Sequence, residues 1–213
     1  MTSFADKFPD RFVVVGIDTD AGKTVVAALL CLGLEADYWK PVQAGREPMT
    51  DTGRVREITG LPEDHFHPEA YCLAWPASPH AAAAQEGIRI AAEKIVLPVT
   101  PRKLVIEGAG GLMVPLREDY MYLDLLAEWK LPVVLVVRTY LGSINHSLLS
   151  IAALRRNAIP ILGLVFNEGG RPESEGVIER YSGIEVLGGV PELDAVNAET
   201  LRAVWRSWSA PDQ

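Results

Sequence analysis

The segment Gly16 to Thr24 constrains the fold of this chain more than any other. It reads Gly-Ile-Asp-Thr-Asp-Ala-Gly-Lys-Thr, directly after the apolar run 12–15 and directly before a helical pattern over 23–34. A glycine-rich turn between a strand and a helix brings backbone N–H groups together around phosphate oxygens. Lys23 would then neutralise phosphate charge, and the Thr24 hydroxyl would be placed to ligate Mg²⁺. The segment therefore predicts a nucleotide phosphate loop.

The glycine spacing of this loop departs by one residue from the most common pattern. That pattern would place a glycine at position 17, where this chain has Ile17, and Gly16 stands one position earlier. A chance Gly-Lys-Thr in an ordinary loop is the alternative. The order of strand, glycine, Lys-Thr and helix favours the phosphate loop.

Further apolar runs and helical patterns alternate along the chain. The runs at 103–106, 133–137 and 161–166 are apolar at nearly every position, which suits strands covered on both faces of a parallel sheet. Helical spacing is found at 122–129 and 147–156. We expect an α/β fold of the P-loop NTPase kind, with a mainly parallel sheet of about seven strands and helices on both faces.

Chain length and one unusual stretch bear on the domain organisation. No linker rich in serine and glycine divides the 213 residues, so we expect a single P-loop α/β domain over 1–213. Residues 41–79 are richer in glycine, proline, histidine and charge than the rest. We expect them to form loops and short helices laid over the sheet.

Charge and hydropathy narrow the classes of partner. The chain has 20 Lys plus Arg against 28 Asp plus Glu, a formal net charge of −8, which argues against broad binding to nucleic acid or anionic lipid. No apolar run approaches the roughly 18 residues of a membrane helix, and the polar segment 1–11 lacks the apolar centre of a secretory signal. With only two cysteines, we expect a cytoplasmic protein without nucleic-acid or membrane partners.

Two further segments carry charged side chains at the ends of apolar runs. Glu107 ends the apolar run 103–106 and is followed by three glycines within 108–111, and Lys40 is held extended by Pro41. Ligands of open α/β sheets gather at the carboxyl ends of strands, where Glu107 would be a second Mg²⁺ ligand and Lys40 would face the same crevice. A solvated glutamate and a solvated lysine are the alternatives. Asp51 is an ordinary exposed acid unless its loop folds back to the metal.

Five motifs taken together resemble the dethiobiotin synthetase family. They are Gly-x-Asp-Thr-x-x-Gly-Lys-Thr from Gly16, Lys-Pro-Val-Gln-x-Gly from Lys40, Ser-Pro-His from Ser78, Glu-Gly-Ala-Gly-Gly-Leu from Glu107 and Leu-Gly-Ser-Ile-Asn-His from Leu141. Their order and spacing agree from about residue 12 to residue 193. The resemblance implies an ATP-dependent cyclo-ligase of biotin biosynthesis that joins CO₂ to 7,8-diaminononanoate, uses Mg²⁺, and works as a homodimer with the substrate site at the interface.

The resemblance also implies roles for individual residues. Lys40 and Lys23 would be catalytic, and Thr24, Asp51 and Glu107 would bind Mg²⁺. The residues that would contact ATP or its metal are Asp20, Ala21, Gly22, Lys23, Thr24, Val25, Asp51, Glu107, Gly108, Ala109, Gly110, Asn167, Glu168, Pro191, Glu192 and Leu193. The residues that would contact the diamine, its carbamate or its carboxylate are Thr19, Lys40, Ala44, Leu141, Gly142, Ser143, Ile144 and Asn145.

Positions 44 and 145 of the implied site leave alternatives open. The family has a side-chain hydroxyl where this chain has Ala44, so water, Gln43 or backbone would have to replace one donor. Asn145 would suit an anion at a helix N-terminus. It is equally compatible with being the N-cap of the helix that ends at Arg156.

Two other classes of protein share parts of this pattern. A partition or cell-division switch ATPase has the same kind of loop, but such switches characteristically carry an additional lysine early in it, and residues 17–21 contain none. An amidotransferase-type ligase needs a glutaminase domain, for which 213 residues leave no room.

His65, His67 and Cys72 could suggest a zinc site, but their spacing lacks a second matched pair.

Overall fold

Seven parallel strands form the central sheet of this protein in a computed structural model that describes residues 3–210. The strands are β1 (Arg11–Gly16), β2 (Asp37–Trp39), β3 (Val42–Ala44), β4 (Phe66–His67), β5 (Tyr71–Leu73), β6 (Leu104–Gly111), β7 (Pro115–Arg117), β8 (Tyr120–Met121), β9 (Val133–Arg138), β10 (Ile161–Asn167) and β11 (Val186–Val190). The α-helices are α1 (Lys23–Leu34), α2 (Asp51–Thr59), α3 (Pro79–Gln85), α4 (Tyr122–Trp129), α5 (Ser143–Arg156), α6 (Pro172–Ser182) and α7 (Ala198–Ser209). Short 3-10 turns lie at Phe4–Lys7, Glu63–His65 and Ala92–Lys94.

The strand order places β1 in the middle of the sheet. The order is β11-β10-β9-β1-β6-β2-β4, and every neighbouring pair is parallel. Phe12 to Gly16 of β1 are buried, as are Val133 to Val137 of β9, because helices cover both faces of the sheet. The predicted seven-stranded parallel sheet is confirmed. The phosphate loop, which follows β1, therefore lies at the centre of the carboxyl edge.

The direction of the crossovers assigns the helices to the two faces. The connection through α1 runs from β1 towards the β4 edge, whereas those through α4, α5 and α6 run towards the β11 edge. Because crossovers between parallel strands are right-handed, opposite directions place the helices on opposite faces. The last helix, α7, packs against α1 and so returns to its face. The prediction of helices on both faces is confirmed.

The stretch 41–79 is more ordered than the sequence predicts. It contains the expected short helix α2, but also three short strands. β3 and β5 pair with each other in a separate two-stranded sheet, and β4 extends the edge of the main sheet. Strands of two or three residues have too few positions to show a hydrophobic pattern.

Helix α5 begins earlier than the pattern predicts. It starts at Ser143 rather than 147, and Gly142 precedes it with φ 106, a conformation that glycine adopts readily. Asn145 therefore lies inside the first turn, and the alternative that it is the N-cap is wrong.

Within residues 3–210, no helix combines the length and the hydropathy needed to cross a bilayer.

Candidate functional site

The phosphate loop holds its lysine by the backbone. Gly22 has φ 91, and α1 begins directly after it at Lys23. The Lys23 ammonium donates to the carbonyl oxygens of Asp18 and Thr19, each at 2.9 Å. Burial, and next the positive charge of Lys40, lower the pKa of Lys23 to about 8. A phosphate group beside Lys23 would stabilise its charged form.

Glu107 joins three elements at the carboxyl edge of the sheet. Its side chain is 1% exposed. Oε1 accepts a hydrogen bond from the Thr24 hydroxyl at 2.9 Å and from the Lys40 ammonium at 3.0 Å, and Oε2 accepts one from the Tyr38 hydroxyl at 2.8 Å. The alternative of a solvated strand-end glutamate is excluded by this geometry.

Lys40 is buried among oxygen atoms. Its ammonium lies 2.7 Å from Asp51 Oδ2 and donates to the Gly108 carbonyl oxygen at 2.9 Å, in addition to Glu107. Burial alone would lower the pKa of Lys40, but the two carboxylates outweigh burial and raise it. The structure therefore holds a charged ammonium beside the phosphate loop, and the alternative of a solvated surface lysine is excluded.

Thr24, Asp51 and Glu107 form an oxygen donor set of the kind that Mg²⁺ takes. The Thr24 hydroxyl lies 2.9 Å from Glu107 Oε1 and 3.5 Å from Asp51 Oδ1, so the three groups meet at one point. Asp51 reaches it because Gln43 Oε1 accepts a hydrogen bond from its backbone N–H at 3.0 Å. A hydroxyl and two carboxylates, completed by phosphate and water, fit a hard divalent cation.

Two cavities of about 420 Å³ each adjoin this cluster. The first, here called the phosphate cavity, is lined by Thr19, Asp20, Gly22, Lys23, Thr24, Lys40, Asp51, Glu107, Gly110 and Arg138. The second, here called the substrate cavity, is lined by Thr19, Lys40, Val42, Gln43, Ala44, Asp51, Pro76, Ala77, Ser78, Pro79, Ala109, Gly110 and Val114. Thr19, Lys40, Asp51 and Gly110 line both. A molecule in one cavity would thus share Lys40 with a molecule in the other.

Asn167 lies against the phosphate loop. A Cβ atom added to Gly22 would lie 2.1 Å from Asn167 Nδ2, so the loop and the end of β10 are in close contact. Glu168, the next residue, forms an ion pair with Arg138 at 2.6 Å. Two other groups of expected contacts, residues 141–145 and 191–193, line neither cavity within this chain.

Two residues of the site, Tyr38 and Arg138, have no role that the sequence alone predicts. Tyr38, a hydrogen-bond donor to Glu107, stands two positions before Lys40, and this spacing places both on one side of an extended segment. Arg138 ends the apolar run 133–137, which is the same signal that identified Glu107. The sequence therefore marks both positions, but it does not predict which residue each side chain contacts.

The two histidines of the possible zinc site contact oxygen atoms of Ala36 and Asp37. His65 Nδ1 lies 3.1 Å from the Ala36 carbonyl oxygen, and His67 Nε2 lies 3.0 Å from Asp37 Oδ2. Among residues 3–210, no group of three or more His, Cys, Asp and Glu side chains could hold a metal ion. The rings bind the start of β2, at the opposite edge of the sheet from the phosphate loop.

Comparison with known proteins extends the likeness over nearly the whole chain. A family model described as an AAA domain matches residues 10–200. The ATP-dependent dethiobiotin synthetase BioD of Afipia carboxidovorans is 52% identical over 92% of this chain and 93% of the relative. The protein of the same name from Rhizorhabdus wittichii is 48% identical over 94% of this chain and 96% of the relative.

Solved structures with little sequence identity share the fold. A ParA family ATPase from Chlorobium tepidum superposes with a TM-score of 0.55 at 12% identity, covering 93% of this chain and 90% of that one. The cell division ATPase MinD of Pyrococcus furiosus gives 0.51 at 12% identity, covering 93% and 98%. These likenesses concern architecture alone, whereas the relatives at about half identity cover more than nine tenths of this chain and are matched over more than nine tenths of their own length. The chain belongs to the dethiobiotin synthetase family.

Proposed function

We propose that this protein is an ATP-dependent dethiobiotin synthetase, a cyclo-ligase that converts 7,8-diaminononanoate, CO₂ and ATP into dethiobiotin, ADP and phosphate. One observation carries the proposal most directly. Lys40 lies in the wall shared by the phosphate cavity and the substrate cavity, within hydrogen-bond distance of Glu107 at the phosphate loop. A nucleotide and a small second reactant can therefore meet at one ammonium group.

The reaction requires two anions to approach each other. One amine of the diamine attacks CO₂ to give a carbamate and a proton, and a carbamate oxygen then attacks the γ-phosphorus of ATP, releasing ADP. The second amine attacks the activated carbonyl carbon, which closes the cyclic urea and releases phosphate. Lys23 and Lys40 would hold the triphosphate and the carbamate in line, and positioning with charge stabilisation would provide most of the catalysis.

We also propose that Thr24, Asp51 and Glu107 bind Mg²⁺ together with the nucleotide. Their oxygen atoms meet at one point and include two carboxylates. When bound, the cation would neutralise charge on the phosphate oxygens. The backbone groups of Asp20, Ala21, Gly22 and Val25, with Asn167 and Glu168 at the end of β10, would surround the nucleotide.

A homodimer would explain residues that reach neither cavity of their own chain. Leu141 is 95% exposed, and Met113, just beyond the glycines after Glu107, is 63% exposed. Large apolar side chains this exposed are available for contact with a second copy of the chain. We propose that residues 141–145 complete the substrate site of a second copy.

Because Cys31 and Cys72 are both unpaired, we propose a cytoplasmic location.

An incorporation assay tests the proposed function. The protein is incubated with the diamine, labelled bicarbonate, ATP and Mg²⁺, and the expected result is label in the cyclic urea. Label should be absent when any one of the diamine, ATP or Mg²⁺ is omitted. Phosphate release that proceeds without the diamine and is unaffected by adding it would contradict the proposal and favour a switch ATPase.

A further inference from the structure

Arg138 is a cation of the phosphate cavity to which the reaction described above gives no role. It lines this cavity together with Lys23 and Lys40. The preceding residues of β9, Val133–Val137, are all buried, but the Arg138 side chain is 45% exposed. The strand thus ends in a solvent-accessible guanidinium beside the proposed phosphate site.

The pairing of β9 with its neighbours fixes this position. Val136 lies opposite Gly16 of β1, so Arg138 lies two residues beyond the point where the phosphate loop begins. On the other side, Arg138 lies opposite Asn167 of β10, whose amide contacts Gly22. Arg138 therefore stands between the start of the phosphate loop and the end of β10, which contact each other.

The three cations of the cavity differ in how firmly they are held. Lys23 is 4% exposed and bonded to two backbone carbonyl oxygens, and Lys40 is enclosed by Glu107 and Asp51. Arg138 has an ion pair with Glu168 in which both side chains are 45% exposed. Ion pairs this exposed contribute little to stability, so the guanidinium can exchange its partner at small cost.

Glu168 is the present partner of the Arg138 guanidinium. It has φ 48, in the left-handed region that non-glycine residues rarely adopt, and its backbone N–H donates to the Val190 carbonyl oxygen at 2.8 Å. The Glu168 carboxylate lies 2.6 Å from the Arg138 guanidinium. A phosphate carries more charge than a carboxylate and offers the same two-pronged acceptor geometry to a guanidinium.

We propose that Arg138 leaves Glu168 and donates to the terminal phosphate of the bound nucleoside triphosphate, acting as a third cation of the phosphate cavity. This inference rests on the proposed function, because it takes the triphosphate as the ligand. Arg138 would favour the triphosphate over the diphosphate and would stabilise charge on the transferred group. Glu168 would satisfy the guanidinium before the nucleotide binds.

The affinity ratio between a non-hydrolysable ATP analogue and ADP tests this assignment. Both dissociation constants are measured by calorimetry for the wild type and for Arg138→Gln, Arg138→Lys and Glu168→Gln. We expect Arg138→Gln to reduce the preference for the triphosphate about tenfold or more, as loss of a hydrogen bond to a charged group does. Arg138→Lys should recover part of it, and Glu168→Gln, which removes the competing charge on Arg138, should increase the preference.

Arg56→Gln is the matched control, because Arg56 is also 45% exposed and also forms an ion pair, with Glu63 at 2.7 Å. It should leave both affinities unchanged. An unchanged triphosphate preference in Arg138→Gln would overturn the inference, and so would a Glu168→Gln variant that loses the preference as Arg138→Gln does. Since these are binding measurements, they are independent of the incorporation assay, whose failure in the wild type would instead reject the proposed function.

Discussion

The ammonium group of Lys40 lies 3.0 Å from Glu107 Oε1, and the two side chains are 4% and 1% exposed. Removing two opposite charges from water is costly unless their remaining hydrogen bonds are satisfied. Here Tyr38 and Thr24 bind the carboxylate, and Asp51 and the Gly108 carbonyl oxygen bind the ammonium. The pair is thus fully satisfied, and it fixes a positive charge in the wall that the two cavities share.

Lys40→Gln should abolish ring closure while affecting nucleotide binding less. The amide retains hydrogen-bond donors but no charge, so the anionic reactants lose electrostatic stabilisation, and we expect turnover to fall about a hundredfold or more. Steady-state kinetics with the diamine and calorimetry with an ATP analogue measure the two effects. Lys94→Gln, an exposed lysine outside both cavities, is the control. Near-normal ring closure in Lys40→Gln would show that the catalytic role is wrong.

Asp51→Asn should raise the Mg²⁺ concentration needed for half-maximal activity. The amide is a weaker ligand for a hard cation, and we expect a shift of about tenfold or more. A titration of ring closure against Mg²⁺ measures it. Glu57→Gln changes an exposed carboxylate on the same helix and should have no effect. A lower maximal rate at an unchanged Mg²⁺ requirement would mean that Asp51 acts through Lys40 and not on the metal.

Gly22→Ala should weaken nucleotide binding by a specific collision. The new Cβ would lie 2.1 Å from Asn167 Nδ2 and 2.5 Å from its Cγ, and φ 91 is unfavourable for alanine. One of the two segments must move, and we expect affinity for the ATP analogue to fall about tenfold or more.

Gly60→Ala separates collision from backbone strain. Gly60 also has positive φ, at 62, but its added Cβ would meet nothing within 4 Å. This variant should lose about 1 kcal/mol of unfolding free energy and keep normal nucleotide affinity. Equal nucleotide affinities in the two variants would show that contact between Gly22 and Asn167 does not shape the site.

The sequence predicts those parts of the molecule whose pattern lies within one contiguous segment. The run 133–137 and the segment Gly16 to Thr24 each carry their own pattern, so the central strands and the phosphate loop were predicted. The carboxyl-edge rule also brought Lys40 and Glu107 to one crevice, as the structure confirms.

What could not be predicted depends on register and on short elements. The contact of Arg138 with Glu168 requires the alignment of β9 with β10, which no local pattern encodes. The start of α5 at Ser143 follows from the backbone conformation of Gly142, and a glycine can adopt many. Roles that depend on a second copy of the chain, such as those proposed for residues 141–145, remain predictions.

Asp37 should make stability depend on pH on the acid side. This carboxylate is 1% exposed at the start of β2 and accepts hydrogen bonds from Thr100 Oγ1 at 2.6 Å and Arg102 at 2.9 Å. Burial would raise its pKa, but the bonds from Thr100, Arg102 and His67 together lower it below the usual value. A lowered folded-state pKa contributes stability above the unfolded-state pKa and loses it as pH falls through the folded-state pKa.

Asp37→Asn tests this dependence. We expect the variant to lose about 2 kcal/mol of unfolding free energy at pH 6, because Arg102 loses its buried partner. Thermal unfolding between pH 6 and pH 3 should show the difference from wild type shrinking below about pH 4. Asp10→Asn, at an exposed position, should show no such convergence. A difference in unfolding free energy that stays constant across this range would mean that Asp37 stabilises the fold through packing and neutral hydrogen bonds and not through its negative charge.

Ala44→Ser should tighten the substrate cavity around the diamine. Ala44 lines this cavity beside Thr19 and Lys40, and the resemblance to the family implies a hydroxyl at this position. Restoring one hydrogen bond should lower KM for the diamine about fivefold with little change in kcat. Ala77→Ser adds a hydroxyl at the exposed edge of the same cavity and should leave KM nearly unchanged. If Ala44→Ser leaves KM unchanged or raises it, then Gln43 or backbone already satisfies the reactant, and this chain has settled on a different set of donors for the same substrate.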